Sequence, residues 1–387
     1  MDTPVTSRRR LLQFGAAALP LAAFASALPA VARAATTSVG SATLRMPAEE
    51  GQHVRTFMAW PALSSVWENS LSGVRRDIAT VADAISRYEP VVMLARPDQA
   101  ADARYECGGG AYYGIEVIEI SNDDLWIRDF GPTFVVGPDA IAGVDTNFNG
   151  WGKAGTTYAQ PFANDAAAAA TLLSQYGLDR IQASFVGEGG SLETDGKGTL
   201  LATVSSMVNS NRNPGKSQDQ VEQAMKAALG IDKVIWVPGL AGQDITDCHI
   251  DCLARFTAPG KVILDKPGPG ADSKWVAVYE ETKRVLGSAT DAAGNRLTIT
   301  ELPGPDRRYI RGRGNDFLSS YTNYYTVNGA VIAPQFGDSV ADGDAYSILR
   351  DAYPGRTVVQ LNIDNVASGG GGIHCATQSQ PVKPPAA

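Results

Sequence analysis

Short runs rich in β-branched and aromatic residues alternate along the chain with fewer helical segments. Together with a hairpin signal, this alternation argues against an all-parallel sheet and favours an α+β arrangement. A type I′ hairpin is predicted at Asn328-Gly329, which separates two apolar runs. The predicted strands include Val91 to Ala95, Ile115 to Ile120, Thr133 to Val136, Ile181 to Val186, Val234 to Val237, Val262 to Leu264, Val276 to Tyr279 and Val358 to Ile363.

The helical segments carry recognisable start and stop signals. The clearest helix is predicted from Gln218 to Leu229. Ser217 is its expected N-cap, Gln220 is the capping-box partner and Gly230 is the C-terminal stop. Other helices are expected near residues 70–87, 163–176 and 339–351. No internal repeat is evident in the letters.

The first 34 residues are typical of an export signal. Arg8-Arg9 matches the twin-arginine pattern, an Ala/Leu-rich run follows, and Ala32-Arg33-Ala34 forms a small-residue cleavage site. We therefore expect residues 1–34 to be a twin-arginine signal peptide and residues 35–387 to form one periplasmic or secreted domain. A signal anchor that stays attached is the alternative, although the run is weakly apolar for a membrane span.

Composition limits the partners and the redox chemistry. Lys and Arg number 33 against 41 Asp and Glu, a net charge of −8, which argues against a nucleic-acid partner and suits a cationic small molecule. Four cysteines are too few for a disulfide scaffold, so at least one is expected to be a thiol. No linker divides the chain before a Pro-rich tail at 381–387. After signal cleavage, no membrane-spanning segment is expected.

Histidine is scarce, so general acid–base chemistry near neutral pH has few candidates. His249 lies in the run from Asp247 to Cys252, which continues into an apolar segment and is interpreted as a strand. In a strand, His249 and Asp251 would project from the same face and place a base beside an anion. A solvated surface strand is the alternative interpretation.

A second motif joins four glycines, Gly369 to Gly372, to His374 and Cys375. Glycines allow close approach of the backbone to a ligand, and no Gly-Lys-Ser/Thr sequence follows that would indicate a phosphate loop. Neighbours on an extended chain point to opposite faces, so His249 is a better base for Cys375 than His374 is. A flexible linker with a buried structural cysteine is the alternative.

A third cluster runs from Asp123 to Pro132 and combines carboxylates, an arginine and a tryptophan. Paired carboxylates can hold a planar cation and a tryptophan face can stack on it, so Asp124, Trp126 and Asp129 are candidate substrate contacts. A salt-bridged loop is the alternative.

A fourth motif sets Glu188 among glycines at the end of a predicted strand, in the run Gly187 to Ser191. The carboxylate could orient an active-site group. The alternative is a tight turn with a solvated glutamate.

The order of these motifs resembles the agmatine deiminases and the bacterial-type peptidylarginine deiminases close to them. The resemblance covers nearly all of the chain after the export signal. The matching segments are Met46-Pro47-Ala48-Glu49, Met58-Ala59-Trp60-Pro61, Asp124 to Pro132, Phe148-Asn149-Gly150-Trp151-Gly152, Glu188-Gly189-Gly190-Ser191, Asn211-Arg212-Asn213-Pro214, His249-Ile250-Asp251, Gly370 to Gln378 and Gln380-Pro381.

The resemblance implies the pentein α/β propeller, in which five ββαβ units surround a central channel that holds the active site. It implies no cofactor and no metal, and it suggests a homodimer. Cys375 would be the nucleophile and His249 the general acid and base. Asp129 and Asp251 would bind the guanidinium, and Glu188 would orient the histidine.

The implied reaction is the deimination of agmatine to N-carbamoylputrescine and ammonia. A weak electrophile such as a guanidinium needs a soft nucleophile and two anions that hold the cation against it. A secreted peptidylarginine deiminase is the alternative, because export exposes an enzyme to peptides. Cys248, Cys252 and Phe130 depart from the usual family pattern and leave the substrate preference open.

Two other classes of protein fit the sequence less well. A cysteine peptidase also uses Cys and His, but it does not need two carboxylates facing its nucleophile, so Asp129 and Asp251 favour guanidine chemistry. A catalytically silent ligand-binding protein is disfavoured because all four residues that would carry the reaction are present.

Overall fold

The computed structural model describes residues 44–108, 113–310, 314 and 316–384. The predicted export signal and the end of the Pro-rich tail therefore lie outside the described residues. All described residues belong to one compact unit. None of their helices is long and apolar enough to cross a membrane. Their strands form five separate small sheets.

The first sheet joins the two ends of the described chain. Its four strands lie in the order β16, β1, β2 and β3. The β1 strand is antiparallel to β16 and parallel to β2, and β2 is parallel to β3. The strands are β1 (His53–Ala59), β2 (Val91–Ala95), β3 (Ile115–Glu119) and β16 (Gln378–Pro381).

The other four sheets have three strands each and share one pattern, in which the first pair is antiparallel and the second pair is parallel. Their strands are β4 (Thr133–Gly137), β5 (Ala140–Asp145) and β6 (Asp179–Gln182); β7 (Glu193–Thr194), β8 (Thr199–Thr203) and β9 (Lys233–Val237); β10 (Ala254–Ala258), β11 (Lys261–Lys266) and β12 (Thr298–Pro303); and β13 (Tyr325–Val327), β14 (Ala330–Gln335) and β15 (Thr357–Asn362).

Helices connect the parallel strands, as such crossovers require. The α-helices are α1 (Ser64–Trp67), α2 (Leu71–Ser86), α3 (Ala100–Cys107), α4 (Ile127–Phe130), α5 (Ala163–Gln175), α6 (Val204–Met207), α7 (Gln218–Leu229), α8 (Ser273–Ser288), α9 (Ser339–Ala352) and α10 (Asp364–Ala367). Short 3₁₀ turns lie at Glu68–Ser70, Gly189–Ser191 and Ile250–Cys252. The order strand, strand, helix, strand thus occurs in all five sheets, with the first strand of one unit supplied by the C-terminal β16.

Most of the predicted elements are confirmed. Helix α7 has the expected capping box between Ser217 and Gln220, and Gly230 ends it with a φ of 65°. The three other predicted helices correspond to α2, α5 and α9. Six of the eight predicted strands coincide with β2, β3, β4, β9, β11 and β15.

Three local predictions are wrong. Val276 to Tyr279 belongs to α8, whose buried Val278, Thr282 and Leu286 follow a helical spacing after the N-cap Asp272. The strand predicted from Ile181 to Val186 ends at Gln182 in β6.

The third concerns the turn at Asn328-Gly329. Strands β13 and β14 form the predicted hairpin, but only Gly329 has a positive φ, whereas a type I′ turn needs two such residues. Asn328 instead exchanges hydrogen bonds with the backbone of His53.

The largest hydrophobic cluster lies around the first sheet and extends to Trp126, Ile373 and Cys375. The loop that carries the candidate nucleophile is therefore anchored in the core. Such anchoring fixes a side chain better than an exposed loop would.

Candidate active site

The candidate site is assembled from segments that occupy the same place in different units. Asp129 lies in α4, just before β4, and Glu188 precedes β7. His249 and Asp251 precede β10, and Cys375 precedes β16. Each segment leads into the first strand of its unit, so a repeated topology brings distant parts of the sequence together.

The fifth unit contributes Asn323, two residues before β13. Its Nδ2 donates to Cys375 Sγ at 3.2 Å, and its Oδ1 accepts from the backbone amides of His374 and Cys375. Sequence analysis missed Asn323, because no motif marks it and its position becomes meaningful only when the five units are compared.

Gly190 identifies the centre of the site. A methyl carbon placed on its Cα would lie 2.6 Å from His249 Nδ1, 2.8 Å from Asp129 Oδ1 and 3.1 Å from Asp251 Oδ2. We call this position the convergence point. Only glycine keeps it free of a side chain of its own, which explains why the Glu188 motif contains glycines.

His249 is buried between carboxylates. Its Nε2 lies 3.3 Å from Glu188 Oε2, while its Nδ1 lies 3.6 Å from Asp129 Oδ1 and has no hydrogen-bond partner. Burial alone would lower the pKa of His249, but Asp129 and Glu188 raise it to about 9. A protonated Nδ1 therefore faces the convergence point.

Glu188 is held in turn by Arg212, whose Nε donates to both carboxylate oxygens at 2.8 and 2.9 Å. Burial would raise the pKa of Glu188, but Arg212 and His249 lower it below its usual value. Glu188 thus stays ionised, as a residue that orients a histidine must. Arg212 belongs to a family motif, but the sequence did not reveal this contact.

The backbone before His249 is constrained. Asp247 and Cys248 have φ values of 60° and 73°, which are uncommon for non-glycine residues. The Asp247 carboxylate fixes them because it accepts hydrogen bonds from Lys153 at 2.7 Å and from Arg212 at 2.9 Å. This turn sets the direction in which His249 points.

Asp129 is buried and accepts hydrogen bonds from Trp151 Nε1 at 2.8 Å and from the Gly190 amide at 3.1 Å. Burial raises its pKa to about 6, although His249 acts in the opposite direction. Trp151 belongs to a recognised motif, and the structure assigns it the task of orienting this carboxylate.

Asp251 pairs with His374, whose Nδ1 lies 2.8 Å from Asp251 Oδ2. Burial would raise the pKa of Asp251, but His374 lowers it to about 2. His374 is therefore a partner of Asp251, and neither His374 nor His249 makes a described hydrogen bond to the Cys375 thiol.

Cys375 is buried, with its Sγ 3.6 Å from Asp251 Oδ2. A hydrogen bond from the Cys252 thiol lowers its pKa, but burial and Asp251 outweigh this effect and the pKa is raised overall. The protonated thiol is thus favoured over the thiolate.

The glycine run forms a tight loop around Cys375. A side chain on Gly371 would lie 2.3 Å from the ring of Trp126, and one on Gly372 would lie 2.5 Å from Asn323 Oδ1. Gly370 adopts a φ of 90°. The glycines are therefore required for packing, and the flexible-linker alternative does not describe this loop.

Two of the predicted substrate contacts lie beside this loop. Trp126 is buried against the glycine run and tilts toward Trp67, with ring centroids 5.9 Å apart. Asp124 accepts hydrogen bonds from Trp67 Nε1 and Gln160 Nε2 at 2.8 and 3.0 Å. Burial raises the pKa of Asp124 to about 6.

The predicted strand through His249 is wrong. His249 precedes a 3₁₀ turn over Ile250–Cys252, and β10 begins only at Ala254. The side chains of His249 and Asp251 nevertheless converge, because the turn and the Gly190 backbone bring both to the same point. Asp129 and Glu188 lie beside His249, and Cys375 lies beside Asp251.

Cys252 was noted only as a departure from the family pattern. Its thiol lies 3.4 Å from Asp251 Oδ1. The ligand atoms of Asp251, Cys252 and Cys375 all lie within 4.8 Å of one another, close enough to bind one metal ion.

Comparison with known proteins identifies the class to which this fold and site belong. The chain is a member of the Porphyromonas-type peptidyl-arginine deiminase family, whose model matches residues 45–381. Its relatives include the agmatine deiminase of Stutzerimonas stutzeri strain A1501, with 38% identity over 87% of this chain and 95% of the relative.

The agmatine deiminase of Medicago truncatula is 36% identical over 87% of this chain and 96% of the relative. A solved structure of the Enterococcus faecalis agmatine deiminase superposes with a TM-score of 0.81 and 31% identity, covering 89% of this chain and 98% of the other. The family resemblance inferred from the motifs is thereby confirmed.

Proposed function

We propose that this protein is an agmatine deiminase, which hydrolyses agmatine to N-carbamoylputrescine and ammonia. The observation that carries the proposal is the convergence of His249, Asp129 and Asp251 on one point beside Gly190, with Cys375 Sγ 3.6 Å from Asp251. The names of the similar agmatine deiminases support the same substrate.

Binding places the planar guanidinium next to Gly190, between the carboxylates of Asp129 and Asp251 that face the convergence point. Asp129 and Asp251 accept its N–H groups, since a buried cation without paired anions would be very costly. The cation also compensates the anions that disfavour the Cys375 thiolate. Substrate binding thus activates the nucleophile.

The Cys375 thiolate attacks the central guanidinium carbon and forms a C–S bond, which gives a tetrahedral adduct. His249 donates its proton to the departing nitrogen, the C–N bond breaks and ammonia leaves. The neutral His249 then takes a proton from water, which attacks the amidino-cysteine carbon. The C–S bond breaks, the hydroxyl proton of the adduct passes to solvent, and a ureido product and the thiolate are released.

An ammonia-release assay with agmatine tests this function. Cys375→Ser should lower kcat by more than about 10⁴-fold while the protein stays folded. Cys107→Ser is the matched control, because Cys107 lies in helix α3, away from the site. Full activity of the Cys375 variant would show that the wrong thiol has been chosen.

A peptidylarginine substrate is the second candidate, because the family model is described as a peptidyl-arginine deiminase and because export would bring the protein into contact with peptides. Equal concentrations of agmatine, free arginine and a peptide with C-terminal arginine separate the candidates. A much higher kcat/KM for the peptide would replace the agmatine assignment and leave the roles of the site residues unchanged.

The five units are proposed to surround a common axis as a pentein propeller. Each unit supplies a residue from the segment before its first strand, and these residues meet in one site, as a closed ring would require. A crystal structure with an open or linear arrangement of sheets would contradict the proposal. A homodimer is also proposed, and light scattering at the mass of one chain would exclude it.

Export through the twin-arginine pathway remains a proposal based on residues 1–34. Cleavage is expected after Ala34. N-terminal sequencing of protein from the periplasm or medium tests it, and a cytoplasmic product that begins at Met1 would contradict it.

A further inference from the structure

We propose that Asp251, Cys252 and Cys375 form a binding site for a thiophilic divalent cation such as Zn²⁺, and that the bound ion blocks the reaction. Cys375 is both the proposed nucleophile and a proposed metal ligand. The inhibition of the reaction therefore rests on the proposed function, whereas the binding of the ion does not.

The donor atoms suit this ion. Cys252 Sγ lies 3.4 Å from Asp251 Oδ1, and Cys375 Sγ lies 3.6 Å from the other carboxylate oxygen, Oδ2. One ligand atom from each of the three residues lies within 4.8 Å of the other two, so small side-chain shifts bring the three donors around one ion. In a tetrahedral zinc site with Zn–S near 2.3 Å and Zn–O near 2.0 Å, neighbouring S and O ligands are about 3.5 Å apart. Two thiolates and one carboxylate leave a fourth position for water.

Neighbouring side chains hold the donors in place. Asn323 Nδ2 donates to both sulfurs, at 3.4 Å to Cys252 and 3.2 Å to Cys375, and so keeps the two thiols on the same side of the loop. His374 Nδ1 fixes the Asp251 carboxylate at 2.8 Å. Outer contacts of this kind are what orient metal ligands in protein sites.

The local charge favours a dication. Glu188, Asp129 and Asp251 are all buried nearby, and the Asp251 carboxylate lies within hydrogen-bonding distance of both thiols. A metal ion would displace the two thiol protons and compensate the surrounding anions. Cys252 is partly exposed, whereas Asp251 and Cys375 are buried.

The bound ion and the substrate exclude each other. The ion takes the sulfur electron pair with which Cys375 would attack carbon, and it occupies Asp251, which would hold the guanidinium. Zn²⁺ is therefore expected to inhibit competitively with agmatine, and chelation should restore activity.

Titration with Co²⁺ under reducing conditions tests the site without an activity measurement. The wild-type protein should bind one ion and show thiolate-to-cobalt absorption in the near ultraviolet. Cys252→Ala and Cys375→Ala should each lose about half of the intensity and bind at least about tenfold more weakly. Cys107→Ala, which removes a thiol from α3, should match the wild type. Wild-type intensity and affinity in Cys252→Ala would overturn the proposal even if the protein proves not to act on agmatine.

Zn²⁺ inhibition of ammonia release gives the second readout, with each variant compared with its own uninhibited rate. The inhibition constant should rise at least about tenfold in Cys252→Ala and remain unchanged in Cys107→Ala. Equal inhibition of the wild type and Cys252→Ala would overturn the proposal. Inhibition reversed by a thiol reductant but not by EDTA would indicate a Cys252–Cys375 disulfide and overturn it as well.

Discussion

Two groups of buried charges lie side by side in this protein and are built in opposite ways. In the candidate site, His249 Nδ1 has no hydrogen-bond partner and the pKa of Asp129 is raised to about 6. In the neighbouring group, which we call the Glu49 cluster, the Glu49 carboxylate accepts hydrogen bonds from Arg128, Arg255 and His374 at 2.7 to 2.9 Å. Burial would raise the pKa of Glu49, but its interactions with His374, Arg255 and Arg128 lower it well below its usual value.

The two groups show two uses of buried charge, a structural one in the Glu49 cluster and a reactive one in the candidate site. The Glu49 cluster pairs its charges within the protein, and Arg255 also binds Glu193 at 2.7 Å. The candidate site leaves donors and acceptors incompletely paired at a single point, which is where a ligand would complete them. Satisfied networks rigidify a core, whereas incompletely satisfied ones need a functional explanation.

His374 links the two groups. Its Nε2 lies 2.8 Å from Glu49 and its Nδ1 lies 2.8 Å from Asp251. The paired cluster therefore supports one wall of the reactive site, and a change in Glu49 should affect stability first and catalysis second.

The largest expected effect on stability follows from breaking the Glu49 cluster. Glu49→Gln would leave buried arginines short of an anion and should lower the free energy of unfolding by about 3–5 kcal/mol. Glu281→Gln is the control, since Glu281 pairs with Arg284 on the exposed face of α8 and should change stability little. Urea unfolding followed by circular dichroism measures both. Equal midpoints in the two variants would show that the cluster does not stabilise the fold.

A side chain at the convergence point should reduce catalysis strongly and stability less, the opposite of the Glu49→Gln change. Gly190→Ala would bring a methyl carbon within 2.6 Å of His249 Nδ1 and displace the groups that hold the guanidinium. A displacement of about 1 Å in such a site costs roughly a hundredfold, so kcat/KM should fall at least that far. Gly287→Ala, in α8 with nothing within 4 Å of the added carbon, is the matched control. Wild-type kcat/KM in Gly190→Ala would mean that the substrate binds elsewhere.

The pH dependence of kcat/KM tests the two raised pKa values. Asp129 must be ionised to hold a cation, so the rate should fall as the pH drops through about 6. His249 must be protonated to serve as an acid, so the rate should also fall as the pH rises through about 9. Each limb should change about tenfold per pH unit. Asp129→Asn, assayed at high enzyme concentration, should lose the acidic limb, and persistence of that limb would assign it to another group.

The sequence identified the residues that meet at the candidate site better than it identified the residues that support them. Cys375 and His249 were found because thiols and imidazoles are scarce in the chain and lie in distinctive runs. Asp251 was found despite a wrong strand assignment, since proximity to His249 in sequence kept the two together in either conformation. The predicted helices succeeded where capping and spacing agreed, as in α7.

The contacts of Arg212 and Asn323 could not be predicted from the sequence for a physical reason. Each acts through a contact with a residue 24 or 52 positions away, to Glu188 and to Cys375 respectively. Such contacts depend on how the units pack, and the units share topology without sharing letters. The fivefold recurrence is a property of strand pairing, which buries different side chains in each sheet.

The smallest expected effect concerns Asn323, which positions the nucleophile. Asn323→Ala removes the Nδ2 hydrogen bond to Cys375 Sγ and the acceptor for two loop amides, and should lower kcat about tenfold with little change in KM. Asn323→Asp keeps the acceptor but adds an anion beside the thiol, so it should raise the pKa of Cys375 further. The pH dependence of iodoacetamide alkylation measures this pKa directly. An upward shift in Asn323→Asp, with a smaller one in Asn323→Ala, would assign the asparagine to thiolate stabilisation, because a purely structural residue would alter kcat without moving the alkylation profile. If the alkylation profile is unshifted in both folded variants, Asn323 has a purely structural role, like the paired charges of the Glu49 cluster, and does not stabilise the thiolate.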